Sequence, residues 1–186
     1  MSEVSTRTIA VNGVELHVHE AGDPEAPPVV LCHGFPELGY SWRHQIGALA
    51  DAGYHVLAPD QRGYGRSSRP EALTDYDIVH LTDDLVALID DVGRDTAAIV
   101  GHDWGSMVVW GLAQRAPERV AGVVGMSVPF LPRGEHPPTE AMRHVLGDAF
   151  FYMLYFQEPG VADANLAADP DRTMRGMLLG LSLIHI

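Results

Sequence analysis

Gly101-His102-Asp103-Trp104-Gly105 is the stretch that decides the fold. The apolar run Thr96–Val100 precedes it, and a helical pattern from Ser106 to Ala116 follows it. Small–x–nucleophile–x–small between a strand and a helix describes a sharp turn that lifts one side chain off the end of a sheet. The glycines let strand and helix approach closely around that turn. The residue lifted here is an aspartate, and that limits the chemistry. A serine that attacked a saturated carbon would leave an ether, which water does not readily cleave. A carboxylate leaves an ester, which activated water can cleave. Asp103 therefore points to displacement at an sp³ carbon, an epoxide or a carbon–halogen bond, rather than to acyl transfer.

Working outward, the alternation of strands and helices sets the class. Thr6–Val11 and Val14–Glu20 flank Asn12-Gly13, a two-residue hairpin signal. Pro28–His33 is a continuous apolar run, as expected of a strand covered on both faces. Ser41 is placed to cap a helix running to Ala52, with Trp42, Ile46 and Leu49 on one side and Gly53 just past its end. Tyr54–Pro59 reads as the next strand and Asp60–Ser68 as a polar, glycine-rich loop. Ile78, Leu81, Leu85, Leu88 and Val92 recur at helical spacing, so 77–92 is expected to be an amphipathic helix. Thr96–Val100 is a strand, 104–116 a helix ended before Pro117, and Val120–Val128 another strand. This order predicts an α/β domain, a mostly parallel sheet with helices on both faces. Pro129, Pro132 and Pro137-Pro138 mark breaks, and 139–182 reads as helix without strands.

Composition narrows the function classes. The 186 residues are 46% hydrophobic and 20% charged, enough for one globular domain with a core. Twelve Lys and Arg against 25 Asp and Glu give a net charge of −13. That balance argues against nucleic acid or an anionic membrane as a partner. Cys32 is the single cysteine, so no internal disulfide forms. Met1 to Val11 holds no apolar signal core, and no later run has the length of a membrane span. The expectation is a cytoplasmic protein whose oligomeric state the sequence leaves open.

Four segments together resemble the epoxide hydrolases of the α/β-hydrolase fold. They are His33-Gly34-Phe35-Pro36-Glu37 with Ser41-Trp42-Arg43 following, Asp60-Gln61-Arg62-Gly63-Tyr64-Gly65-Arg66-Ser67-Ser68, Gly101-His102-Asp103-Trp104-Gly105-Ser106, and Tyr152-Met153-Leu154-Tyr155-Phe156-Gln157-Glu158-Pro159-Gly160. The fourth resembles the first cap helix of that family and separates it from most dehalogenases. The resemblance runs from about Thr6 to about Leu179. It implies residues 1–129 as the N-terminal part of the hydrolase core and 130–180 as part of a helical cap. Two further strands, the catalytic histidine, its acidic partner and a second cap tyrosine are expected beyond the cap. The chain thus reads as an N-terminal fragment, with Val120–Val128 expected to lack a downstream neighbour. Leu181-Ser182-Leu183-Ile184-His185-Ile186 does not continue the family pattern and reads as a non-native tail, resembling sequencing-adaptor read-through.

The resemblance assigns roles to particular residues. Asp103 would be the nucleophile, set at a helix start where backbone N–H groups and the positive dipole end suit an anion. A plain helix N-cap is the bland reading of the same aspartate. Phe35 and Trp104 would donate backbone N–H groups to an oxyanion hole and line an apolar substrate pocket. As side chains they also fit a core. Tyr152 would hydrogen-bond the epoxide oxygen as acid; spacing alone does not choose it over Tyr155. The expected substrate is a small apolar epoxide, opened to a vicinal diol with no cofactor and no metal. A haloalkane or haloacid dehalogenase is the alternative within the fold, although Phe35 offers no side-chain donor to a halide. A non-catalytic binding protein on the same scaffold is the alternative from another class. His33 is expected to fix its loop by hydrogen bonds, and His102 to be packed or hydrogen-bonded rather than the base. His17 and His19 share a strand face that reads as solvated, without the third ligand a metal needs. Asp60–Ser68 lacks a phosphate-loop lysine and reads as structural. The acidic helix face Asp83, Asp84, Asp90 and Asp91 reads as solvated surface.

Overall fold

The computed structural model describes residues 2–132 and 134–184. They form two compact units, Met1–Phe130 and Leu131–Ile186. The first unit holds β1 (Ser5–Val11), β2 (Val14–Ala21), β3 (Pro28–Cys32), α1 (Arg43–Asp51), β4 (His55–Pro59), α2 (Ile78–Asp91), β5 (Ala97–His102), α3 (Trp104–Arg115) and β6 (Val120–Met126). The six strands make one mixed sheet in the order β1-β2-β4-β3-β5-β6. β1 and β2 pair antiparallel, β2 meets β4 antiparallel, and the remaining pairs are parallel. Asn12 and Gly13 both take positive φ, the backbone that lets a two-residue turn join twisted strands. From β3 the chain passes to β4 on one side and to β5 on the other, so the sheet order reverses there. Crevices at the carboxyl ends of strands at such a switch are where open α/β sheets bind ligands.

Two apolar layers hold the sheet. On one face α1 and the turn before it pack Trp42, Ile46 and Ala50 against Val29, Leu31, Val56 and Ala58. On the other, α2 and α3 pack Leu85, Leu88, Ile89, Val108, Val109 and Leu112 against Leu16, Val18, Val30, Leu57 and Ile99. β3 and β4 are buried along their whole length, which is why they read as unbroken apolar runs. Asp77 caps α2, its carboxylate accepting the His80 N–H at 2.9 Å.

The structure corrects several expectations. Ser41 does not cap α1. It lies inside a 3-10 turn, Gly39–Trp42, and its hydroxyl donates to the Leu38 carbonyl at 2.5 Å. The acidic face of α2 is not free solvated surface. Asp84 is buried and takes a two-pronged bond from Arg62, at 2.7 Å from Nε and 2.5 Å from Nη2. Asp83, Asp90 and Asp91 pair with Arg115, Arg119 and Arg7. His17 is buried rather than solvated, because β2 is covered on both faces, and its ring meets His19 edge-on at 5.3 Å. No three-residue metal-binding group occurs among the described residues. β5 runs two residues further than expected, to His102, and β6 stops at Met126, where Ser127 turns to φ 69°.

The second unit is helical: α4 (Pro138–Leu146), α5 (Tyr152–Tyr155), α6 (Val161–Ala167) and α7 (Pro170–Ile184). The proline expected to break the chain at 138 opens α4, where its fixed φ and missing N–H are tolerated. Of the expected tail, the backbone of 181–184 continues α7, and His185 and Ile186 lie outside the described residues. No helix among the described residues is long and apolar enough to cross a membrane.

Candidate active site

Asp103 stands between β5 and α3, at the turn the pattern predicts. Its backbone is held at φ 53°, ψ −119°, outside the ordinary wells of an L residue. Gly105 explains how the helix can start so close. A Cβ there would collide with the backbone carbonyl of Cys32 at the end of β3. Trp104 is the first residue of α3, so its N–H is one of those at a helix start without an intrahelical acceptor. Its side chain is exposed in the first unit.

The second wall comes from the loop after β3. The Phe35 N–H donates to Asp103 Oδ1 at 3.0 Å, across 68 positions of sequence. Gly34 lies against the same carboxylate, with room for no side chain. A Cβ would stand 2.6 Å from Oδ1. The loop folds back on itself, with the Glu37 N–H donating to the Gly34 carbonyl at 3.0 Å. The Glu37 carboxylate accepts the Gly34 N–H at 3.3 Å and lies 3.1 Å from His102 Nδ1. Glu37 thus joins the loop that carries the Phe35 donor to the residue preceding Asp103. Sequence reasoning quoted Glu37 within a motif and gave it no role. Its signal was present only as a carboxylate three residues past a glycine turn.

The two histidines of these motifs are both engaged. His33 lies fully buried, with Nδ1 2.8 Å from the Gly34 carbonyl and Nε2 accepting the Gln61 N–H at 3.0 Å. Gln61 Nε2 returns a bond to the His33 carbonyl at 2.6 Å. Burial pushes the His33 ring below its usual value, with the Gly34 carbonyl and the Asp60 and Glu37 charges pulling back up. The Asp60–Ser68 loop is a brace beneath the site. Asp60 accepts the Gly39 N–H at 2.9 Å and the Arg66 N–H at 3.1 Å, and Ser67 accepts the His17 N–H at 2.9 Å. Cys32 under the turn is inert, its thiol pushed up to about 12 by burial.

In the second unit Tyr152 opens α5, half-buried, with its ring 5.3 Å from Phe151 and 5.6 Å from Phe156. The Tyr155 hydroxyl accepts from Asn165 Nδ2 at 2.8 Å.

Residues 27–178 match the alpha/beta hydrolase fold family. Over 181 residues, 97% of this chain and 56% of the relative, the sequence is 63% identical to epoxide hydrolase A of Mycobacterium tuberculosis. It is 46% identical to the bifunctional epoxide hydrolase 2 of Sus scrofa over 88% of this chain and 29% of that protein. Among solved structures, epoxide hydrolase A from Mycobacterium thermoresistibile superposes with a TM-score of 0.92 at 61% identity, covering 94% of this chain and 55% of that one. An epoxide hydrolase from Vigna radiata gives 0.89 at 46% identity, covering 95% and 54%. The chain spans about half the length of the first relatives it matches.

Proposed function

The chain belongs to the α/β-hydrolase fold family, and from that premise we propose that it serves the hydrolysis of an epoxide to a vicinal diol through an aspartyl ester. The observation that carries the reading is the Phe35 N–H held 3.0 Å from Asp103 Oδ1. That donor fixes one carboxylate oxygen and leaves Oδ2 to attack a ring carbon. The C–O bond of the ring breaks as the Asp103–carbon bond forms, and the alkoxide takes a proton. Tyr152 is the residue proposed to supply that proton, on the resemblance of its segment to the first cap helix of the epoxide hydrolases. When water then attacks the ester carbonyl, charge develops on Oδ1. The Phe35 N–H, with that of Trp104, is proposed to stabilise it, the kind of donor whose removal costs ~10²–10³ in rate. The relatives named above are epoxide hydrolases, which favours a small apolar epoxide over a haloalkane.

Water still needs a base, and general-base help is worth ~10²–10⁴-fold. His33 has both ring nitrogens committed to its loop. The 186-residue polypeptide is therefore expected to form the ester and stall. The test is incubation with styrene oxide, followed by intact-mass analysis and diol quantification, alongside Asp103→Asn. A single adduct mapped to Asp103 and absent from D103N supports the reading. No adduct, or one that persists in D103N, sinks it. Sustained Asp103-dependent diol release would show that another residue of this polypeptide supplies the base, with His102, the imidazole resting on Glu37, the first to mutate.

A further inference from the structure

A strained backbone persists only where its surroundings over-determine it. Asp103 is such a residue, and two of its restraints are backbone bonds. Its N–H donates to the Met126 carbonyl at 3.1 Å, and its carbonyl accepts the Ser106 N–H at 3.0 Å. The third restraint is a side chain. Ser106 is fully buried in the first turn of α3. Its Oγ lies 2.8 Å from the Gly101 carbonyl and 2.8 Å from the Met126 carbonyl, and it accepts the Met126 N–H at 3.1 Å. A hydroxyl has one proton, so it donates to one of the two carbonyls at a time while accepting from Met126. This one group therefore joins the end of β5, the start of α3 and the end of β6. Met126, which receives the Asp103 N–H, is itself held by Ser106.

We propose that Ser106 is a positioning residue. Its hydroxyl pins the end of β6 to the turn and keeps the Asp103 carboxylate on the Phe35 N–H. The proposal rests on the reading of Asp103 as nucleophile. Without the hydroxyl, the end of β6 is held at the turn only by the backbone ladder, in which Met126 pairs with His102, and is free to shift against it. Asp103 then relaxes out of its strained conformation and carries its carboxylate away from Phe35. Misplacement of a reacting group by ~1 Å costs on the order of 10²-fold in rate.

The experiment compares wild type, Ser106→Ala, Ser106→Cys and Thr82→Val. Thr82 is a control with a buried hydroxyl that bonds the Ile78 carbonyl at 2.7 Å within α2 and accepts from Arg115 at the far end of α3, away from the turn. Each protein is treated with styrene oxide well below its melting temperature, and the rate of Asp103 adduct formation is read by intact mass. Amide exchange of Phe35, Asp103 and Met126 is followed by NMR in the same samples. The expected result is adduct formation slowed about tenfold or more in S106A, with the three amides exchanging faster. T82V should match wild type in both readouts. S106C, which keeps a weak donor of similar size, should fall between, and it carries the test if S106A does not fold. Wild-type rates in the Ser106 variants, or equal slowing in T82V, overturn the proposal. If wild type itself forms no adduct, the nucleophile reading fails, and exchange alone judges Ser106. Deprotection confined to the Ser106 variants then upholds its hold on the turn, and unchanged protection overturns it.

Discussion

At the scale of single residues, the site is built from close approaches that leave no room for error. Gly34 is the one that meets the carboxylate itself. A Cβ there would stand 2.5 Å from the Asp103 Cβ and 2.6 Å from Oδ1. Gly34→Ala must push either the carboxylate or the Phe35 loop aside. Adduct formation at Asp103 is expected to fall by about 10²-fold or more; a G34A protein that reacts like wild type would show that the loop does not set the nucleophile. His33 gives a pH dependence. Burial depresses its folded-state value below the ordinary 6.5, so below that pH the unfolded chain binds the proton more readily. Its contribution is intact above pH 6.5 and is lost as pH falls through that value toward the depressed one, by at most ~1.4 kcal/mol per pH unit for one proton. Urea unfolding between pH 8 and pH 5 should show this slope, and His33→Gln should flatten it. His19 shifts in the same direction through burial, so a slope untouched by H33Q would move the assignment there.

At the scale of elements, α2 is tied to the sheet by more than its apolar face. Asp84 looks inward with Leu85 and Leu88, and it takes Arg62 as well as Asn12 Nδ2 at 2.9 Å. Arg62 also donates to the Asp75 carbonyl at 2.7 Å. One buried pair thus joins the β1–β2 turn, the brace beneath the site, and α2. The periodicity of α2 was legible, because apolar spacing is a local property. The burial of Asp84 was not, because its partner lies 22 positions away. Asp84→Asn leaves the Arg62 charge buried without its counter-ion. The expected loss is about 3–5 kcal/mol, read as a shift of the urea midpoint. A loss under about 1 kcal/mol would put the pair among exposed ion pairs.

At the scale of the whole molecule, net charge and local surface pull in opposite directions. A charge of −13 keeps copies apart at low ionic strength. β6, however, is the edge of the sheet, and Val120–Met126 carries no charged side chain. Val124 and Met126 are 52% and 44% exposed. An uncharged apolar edge is a template for strand pairing. Sedimentation velocity should therefore show association that grows with salt, since screening removes the repulsion and leaves the edge. Val124→Lys is expected to reduce it, and an unchanged V124K profile would place the association elsewhere.

The sequence by itself determined what is local. The hairpin at Asn12-Gly13, the apolar runs of β3 and β4, the period of α2 and the turn around Asp103 all follow from side-chain spacing and backbone preference within a few residues. Boundaries slipped where a neighbour decided them. Ser41 entered a 3-10 turn instead of capping α1, and β6 ended where Ser127 turned. The tertiary structure alone decided the site's contacts. Phe35 reaches Asp103 across 68 positions and Glu37 reaches His102 across 65, because β3 and β5 lie side by side in the sheet although β4 separates them in sequence. That adjacency comes from packing helices on both faces of a twisted sheet, a global constraint that no short window of sequence carries.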